Sequence, residues 1–170
     1  MRIAGGDPGA VRDLVERHYG ELYRYAFAML GHRAASEDAV HDAFVRALEA
    51  LGKYPEKRIR AMVLRPWLYR ITLNVVRDRL RRRRREIPLE GVRPAVEPQE
   101  DPEGVMDVLA ALQSLPERQR VAVALRYLQD LPYAEISAAT GWPEGTAKTL
   151  VRRGLIRLRA EMDGRRGGGL

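Results

Sequence analysis

The chain has 170 residues, 45% hydrophobic and 31% charged, a balance that suits one ordinary domain or two small ones rather than a disordered chain. It holds no cysteine, which excludes disulfides and thiolate metal sites, and no apolar run of membrane-spanning length. Thirty basic residues against 23 acidic ones leave a net charge of +7, and Lys53, Lys57 and Lys148 are the only lysines among them. Arginine's planar fork suits phosphates and base edges, although a GC-rich genome gives the same bias. Residues 1–10 lack the charged-then-apolar pattern of a signal peptide, so a soluble cytoplasmic protein without membrane contact is expected.

Helical periodicity dominates. Val11, Leu14, Val15, His18, Tyr19, Leu22, Ala26, Met29 and Leu30 keep i, i+3, i+4 spacing, and Gly31 ends that run. Ser36 reads as the N-cap of a second helix, with Glu37 and Asp38 in its first turn, and Gly52 stops it. Residues 53–65 read as polar and irregular. A third helix is expected to open with Pro66 as its first residue and to run into Arg85. No segment alternates with period two, so no sheet is expected.

From Glu86 to Asp107 the composition changes: four prolines, seven acids and one base, Arg93. Such a stretch buries too little apolar surface to fold alone and reads as a linker. Helical pattern then resumes. Ser114-Leu-Pro-Glu117 has the form of a capping box opening a helix through Leu128. A short helix from about Pro132 to Thr140, a Gly141-Trp-Pro turn and a last helix near Pro143 have the layout of a helix-turn-helix, with residues 164–170 as a frayed tail. The expected fold is all-α: a first helical domain (1–86), an acidic Pro-rich linker (87–104), and a second, helix-turn-helix domain (105–163).

Three constellations carry chemistry. On a helical wheel the last helix places Ala147, Val151, Gly154, Leu155, Leu158 and Met162 on one side. Lys148, Thr149, Arg152, Arg153 and Arg159 fall on the other, as a groove-reading helix requires. In the third helix, Arg70, Asn74, Arg77 and Arg81 form one stripe edged by Trp67, where cations can track phosphates and a ring can stack on an exposed base. Glu37, Asp38 and Asp42 set acids beside Phe44; alone, that is an ordinary solvated helix start. His18, His32 and His41 are scattered, and no metal-binding spacing, phosphate loop or nucleophile elbow occurs. No metal, cofactor or enzymatic turnover is expected.

Together these segments resemble the extracytoplasmic-function (ECF) group of the sigma-70 family of transcription initiation factors. Arg65-Pro-Trp-Leu-Tyr-Arg-Ile-Thr-Leu-Asn74, continuing to Asp78, is similar to the family's −10-recognition helix. Ser36-Glu-Asp-Ala-Val-His-Asp-Ala-Phe44 is similar to its polymerase-binding helix. Leu115-Pro-Glu-Arg-Gln-Arg120, Leu131-Pro-Tyr-Ala-Glu-Ile136 and Gly145-Thr-Ala-Lys148 are similar to its −35-recognition domain. The resemblance implies that Glu37, Asp38, Asp42 and Phe44 dock on the β′ coiled coil of core RNA polymerase. It implies that the loop carrying Lys53, Lys57, Arg58, Arg60 and Arg65 captures a flipped base of the promoter −10 strand. Trp67, Arg70, Asn74, Arg77 and Arg81 would hold that strand. Tyr133, Glu144, Gly145, Thr146, Lys148, Thr149, Arg152 and Arg153 would read the −35 duplex while apolar surfaces meet the β flap. An anti-sigma factor is the further partner class the resemblance brings with it. His41, Leu150, Leu155 and Ile156 depart from the family pattern, the last three in the −35 helix. The alternative is an operator-binding helix-turn-helix regulator, which explains the C-terminal half but neither the arginine–tryptophan helix nor the acidic linker.

Overall fold

A computed structural model describes residues 7–86 and 105–167. The first helix, α1 (Pro8–Leu30), starts where the Asp7 side chain accepts the Gly9 N–H at 3.0 Å, with Pro8 supplying a preset φ. It stops at Gly31, whose φ of 66° is the left-handed conformation that lets its N–H return to the Phe27 carbonyl. α2 (Arg33–Lys53) begins earlier than Ser36. The His32 ring accepts the Ala35 N–H, and Ser36, already helical and buried, donates its hydroxyl back to the His32 carbonyl. Imidazole thus takes the cap, and Gly52 lies inside the helix rather than after it.

Residues 53–65 are not irregular throughout. They hold α3 (Glu56–Ala61), entered from Pro55 and pinned by buried Ile59. α4 (Leu64–Glu86) starts two residues before Pro66, which sits in the first turn where its missing N–H costs nothing. α1, α2 and α4 pack through Leu22, Tyr25, Met29, Val40, Ala47, Leu51, Leu68 and Leu73, and the Tyr25 and Tyr69 rings meet edge to face at 5.5 Å.

The linker, 87–104, lies outside the described residues, so its acidic, Pro-rich reading stays an expectation. Beyond it come α5 (Val105–Ser114), α6 (Glu117–Val123), a π-helical turn (Ala124–Leu128), α7 (Tyr133–Thr140) and α8 (Glu144–Gly167). The Ser114–Glu117 capping box does not form. Pro116 is the N-cap of α6, Ser114 closes α5 by donating to the Ala111 carbonyl, and Glu117 turns to arginines of α4. α8 reaches Gly167, so residues 164–167 of the expected tail are helical. Ala147, Val151 and Gly154 face inward as the wheel requires, but Leu155 and Met162 are exposed. Gly154 marks the close approach of α8 to α6: a Cβ there would stand 2.6 Å from Val123 Cγ2. Among the described residues there is no strand, and no helix is long and apolar enough to cross a membrane.

The two helical units pack together, α1 against α5 and the π-helical turn, and α4 against α7, so their buried side chains join in one cluster. Polar bonds stitch the seam. Gln113 and Arg120 donate to the Ala28 and Met29 carbonyls at the C-terminal end of α1, where free carbonyls and the helix dipole favour a cation. Burial pulls the Arg120 guanidinium's pKa down, a cost that Glu117 opposes.

Candidate nucleic-acid interface

α4 carries the first surface. Arg70, Asn74 and Arg81 are exposed along one side of it, in the register expected from their spacing. At its N-terminal end the Trp67 ring meets Tyr54 at 6.1 Å, and the Arg58 guanidinium lies 3.7 Å over that same Tyr54 ring. This aromatic–cation cluster is half-open to solvent and continues into α3, where Lys57 and Arg60 line a shallow hollow with Glu56. Arg60 is held by Glu56 at 2.5 Å, while Lys53 and Lys57 reach into solvent. Tyr54 was not singled out from the sequence; the signal was an aromatic standing alone in a basic loop.

Of the α4 arginines in the expected set, Arg81 bonds Asp78 on its own helix, and Arg65 and Arg77 are occupied by other elements. Arg65 donates to the Glu21 carboxylate at 3.0 Å and to the Gln129 carbonyl at 2.6 Å. Arg77 donates to Glu117 at 3.2 Å and lies over the Trp142 ring. Burial would raise the Glu21 pKa, but the hydrogen bonds from His18 and Arg65 outweigh it and hold the carboxyl below its usual range. Burial lifts the Tyr69 hydroxyl well above the ordinary phenol value, so it stays a donor, bonded to Gln129 Oε1 at 2.8 Å.

The second surface is α8. Lys148, Thr149, Arg152 and Arg153 are exposed on its outer face, and Lys148 shares the Tyr133 ring with Arg126, each about 5.5 Å from the centroid. Glu144 and Gly145 stand exposed in the first turn with Thr146 half-buried beside them. Ser137 donates to the Trp142 carbonyl, and the Gly141 φ of 77° makes the turn that sets α8 across α7. Leu150 is half-buried and Ile156 is 58% exposed, so that substitution presents an apolar side chain outward.

The third surface is a groove of about 460 Å³ between α1 and α2, lined by Tyr19, Glu37, Asp38, His41, Phe44 and Val45 among others. Glu37, Asp38 and Phe44 come together there as expected. Asp42 does not: it points to α4 and accepts from Arg79 at 2.5 Å. The α1 contribution, Val15 and Tyr19, was legible only as helix periodicity. Among the described residues no cluster of His, Asp and Glu can hold a metal ion.

Fold and surfaces define a two-unit, all-helical protein with a basic aromatic-edged helix, a helix-turn-helix and an acid-rimmed apolar groove. Residues 14–86 match the family description "Sigma-70 region 2", and residues 106–158 match "Sigma-70, region 4". The chain is 34% identical over 155 residues to the ECF RNA polymerase sigma factor SigM of Mycobacterium tuberculosis (strain H37Rv), covering 90% of this chain and 77% of that protein. It is 33% identical over 171 residues to the ECF sigma factor SigE of Mycolicibacterium smegmatis, covering 92% of this chain and 64% of SigE. A solved structure of the sigma factor RpoE with the anti-sigma factor NepR from Bartonella quintana matches with a TM-score of 0.71 at 25% identity, covering 89% of this chain and 98% of that one. The chain belongs to the ECF group of RNA polymerase sigma factors.

Proposed function

We propose that this protein is a promoter-recognition subunit that brings core RNA polymerase to specific promoters, opens the −10 element and reads the −35 duplex, without catalysis of its own. The observation that carries this is the α4 surface. An exposed stripe of Arg70, Asn74 and Arg81 leads into the Trp67–Tyr54–Arg58 cluster. An operator-binding regulator reads duplex edges and has no use for a stacking platform at the end of a basic track. Extruding a base costs a few kcal/mol, which the cluster and the bound polymerase together must offset. The residue 7–86 unit would perform that step, and the helix-turn-helix unit would place α8 in the −35 major groove, Arg152 and Arg153 toward phosphates. The groove around Phe44 suits an amphipathic partner carrying basic side chains, as the β′ coiled coil would be, and an anti-sigma factor would compete for such surfaces. Work on core polymerase places the protein in the cytoplasm.

Run-off transcription with added core polymerase and genomic fragments should yield discrete promoter-specific products, lost in Asn74→Ala. No product from any fragment, with tight duplex binding by the protein alone, would establish the operator-binding reading instead.

A further inference from the structure

α2 and α4 exchange charges where their outer flanks meet. Asp42 of α2 accepts from Arg79 of α4 at 2.5 Å, and one turn further along α2, Arg46 donates to Asp78 of α4 at 3.3 Å. Arg81 donates to the other oxygen of the same Asp78 carboxylate. One carboxylate thus holds two guanidiniums from two helices. The hydrogen bond from Arg81, seconded by that from Arg46, holds the Asp78 carboxyl below its usual range against an opposing effect of burial, so it stays ionised and keeps both.

The two bridges differ in kind. The Arg79 side chain is 29% exposed, its Nε is sealed from solvent, and its bond to Asp42 belongs to the seam. Arg46 and Arg81 are 48% and 66% exposed. Ion pairs this open contribute about 0–1 kcal/mol, which adds little to a seam already packed by Val40, Ala47, Leu51 and Leu73. What they do is orient. A guanidinium is a rigid fork of N–H donors, and the bond to Asp78 leaves most of each fork free for a second acceptor, with its direction set.

On a helical wheel Asp78, Arg81, Arg82 and Arg85 share one flank of α4, and Arg82 and Arg85 are exposed with no partner among the described residues. Arg46 widens that flank across to α2. Arg81 stands about 21 Å along α4 from Trp67, which is about six base steps of duplex. A backbone that passes the stacking platform at Trp67 is therefore, at Arg81, in paired DNA beside the opened segment.

We infer that Arg46 and Arg81 form a phosphate clamp built from two helices, with Asp78 as its positioning residue. It grips phosphodiesters of the duplex next to the opened −10 segment. Contacts to phosphate carry no sequence information, so the grip is the same on any promoter. That the duplex is a promoter rests on the proposed sigma function; the phosphate site itself does not. Asp78→Ala separates the clamp from bulk electrostatics by sign. Removing a carboxylate makes the protein more positive and tightens DNA binding if only the field matters. If Asp78 aims the two forks, binding weakens instead.

The test measures holoenzyme affinity for a promoter duplex across a salt series, with Asp13→Ala as control, an exposed aspartate of α1 outside all three surfaces. Arg46→Ala should weaken binding about five-fold on any sequence and lower the slope of log affinity against log salt by about 0.9. Arg46→Lys should restore the slope, because a point charge still displaces a counterion, but only part of the affinity. Asp78→Ala should weaken binding at least about three-fold, while Asp13→Ala should leave it equal or slightly tighter. Asp78→Asn, with one acceptor oxygen in place of two, should act in the same direction as Asp78→Ala and decides the matter if that variant does not fold. Affinity for core polymerase should be equal throughout.

An unchanged salt slope in Arg46→Ala would overturn the clamp. So would loss of core affinity there, which would make Arg46 a polymerase contact. Binding by the Asp78 variants as tight as wild type, or tighter, would overturn the positioning role. Run-off transcripts from the wild type alongside an unchanged Arg46→Ala slope would show the clamp wrong and the sigma function right. Absent transcripts, with the slope still lowered by Arg46→Ala in duplex binding by the chain alone, would show the reverse.

Discussion

Gly154→Ala sets two local effects against each other. Glycine inside a helix is worse than alanine by about 1 kcal/mol, so propensity alone makes the substitution stabilising. The structure opposes this. The new methyl would lie 2.6 Å from Val123 Cγ2, where carbon atoms ordinarily rest about 3.5–4.0 Å apart, and Gln119 Cβ and its carbonyl oxygen already stand at 3.5 Å. Val123 is 3% exposed and β-branched, so it cannot swing aside without disturbing its neighbours. Overpacking of this kind costs about 1–3 kcal/mol. The net effect should be destabilisation of up to about 2 kcal/mol, a fall in Tm of several degrees at about 4–8 °C per kcal/mol for a unit of this size. Thermal unfolding by circular dichroism measures it, with Gly52→Ala beside it as reference. Nothing lies within 4 Å of a Cβ at Gly52, and there the substitution should stabilise by about 0.4–1 kcal/mol. If Gly154→Ala raised the Tm as Gly52→Ala does, α8 would not be seated on α6 as described, and the presentation of its outer face would need another explanation.

Asp38→Arg places a cation on the rim of the Phe44 groove; affinity for core polymerase should fall at least about ten-fold with oligo-dT binding retained, and unchanged core affinity would remove the docking assignment. Arg152→Ala and Arg153→Ala should each lower the slope of log affinity against log salt on promoter duplex by about 0.9, as loss of one phosphate contact does; a changed sequence preference instead would make them base readers. The depressed Glu21 pKa makes its contribution to stability full above the unfolded carboxyl value of about 4.3 and lost as the pH falls through the lower folded value. Glu21→Gln should therefore flatten the acid side of the stability profile, and an unaltered profile would mean that the bonds to His18 and Arg65 contribute nothing.

How far the sequence reaches can be judged from particular residues. The spacing of Arg70, Asn74 and Arg81, and of Lys148, Arg152 and Arg153, is a local property: a helix advances about 100° per residue whatever surrounds it, so their shared faces were legible before any packing was known. So were the stops at Gly31 and Gly141, where the left-handed turn calls for glycine. The caps of α2 and α6 were not, because His32 outcompetes Ser36 for the free N–H groups, and Glu117 finds arginines on another helix. Asp42 left the acidic cluster for the same reason, since Arg79 lies 37 positions away in sequence and 2.5 Å away in space.

Composition and helical period determined an all-helical chain with two basic faces and one acidic patch, because these depend on neighbours within a turn or two. Tertiary structure alone decided which of those faces meet solvent. Arg65 and Arg77 carry the same charge and lie on the same helix as Arg70 and Arg81, yet they are half-buried and covered in part. What covers them, Gln129 and Glu117, is more than thirty residues distant along the chain, beyond the reach of any periodicity.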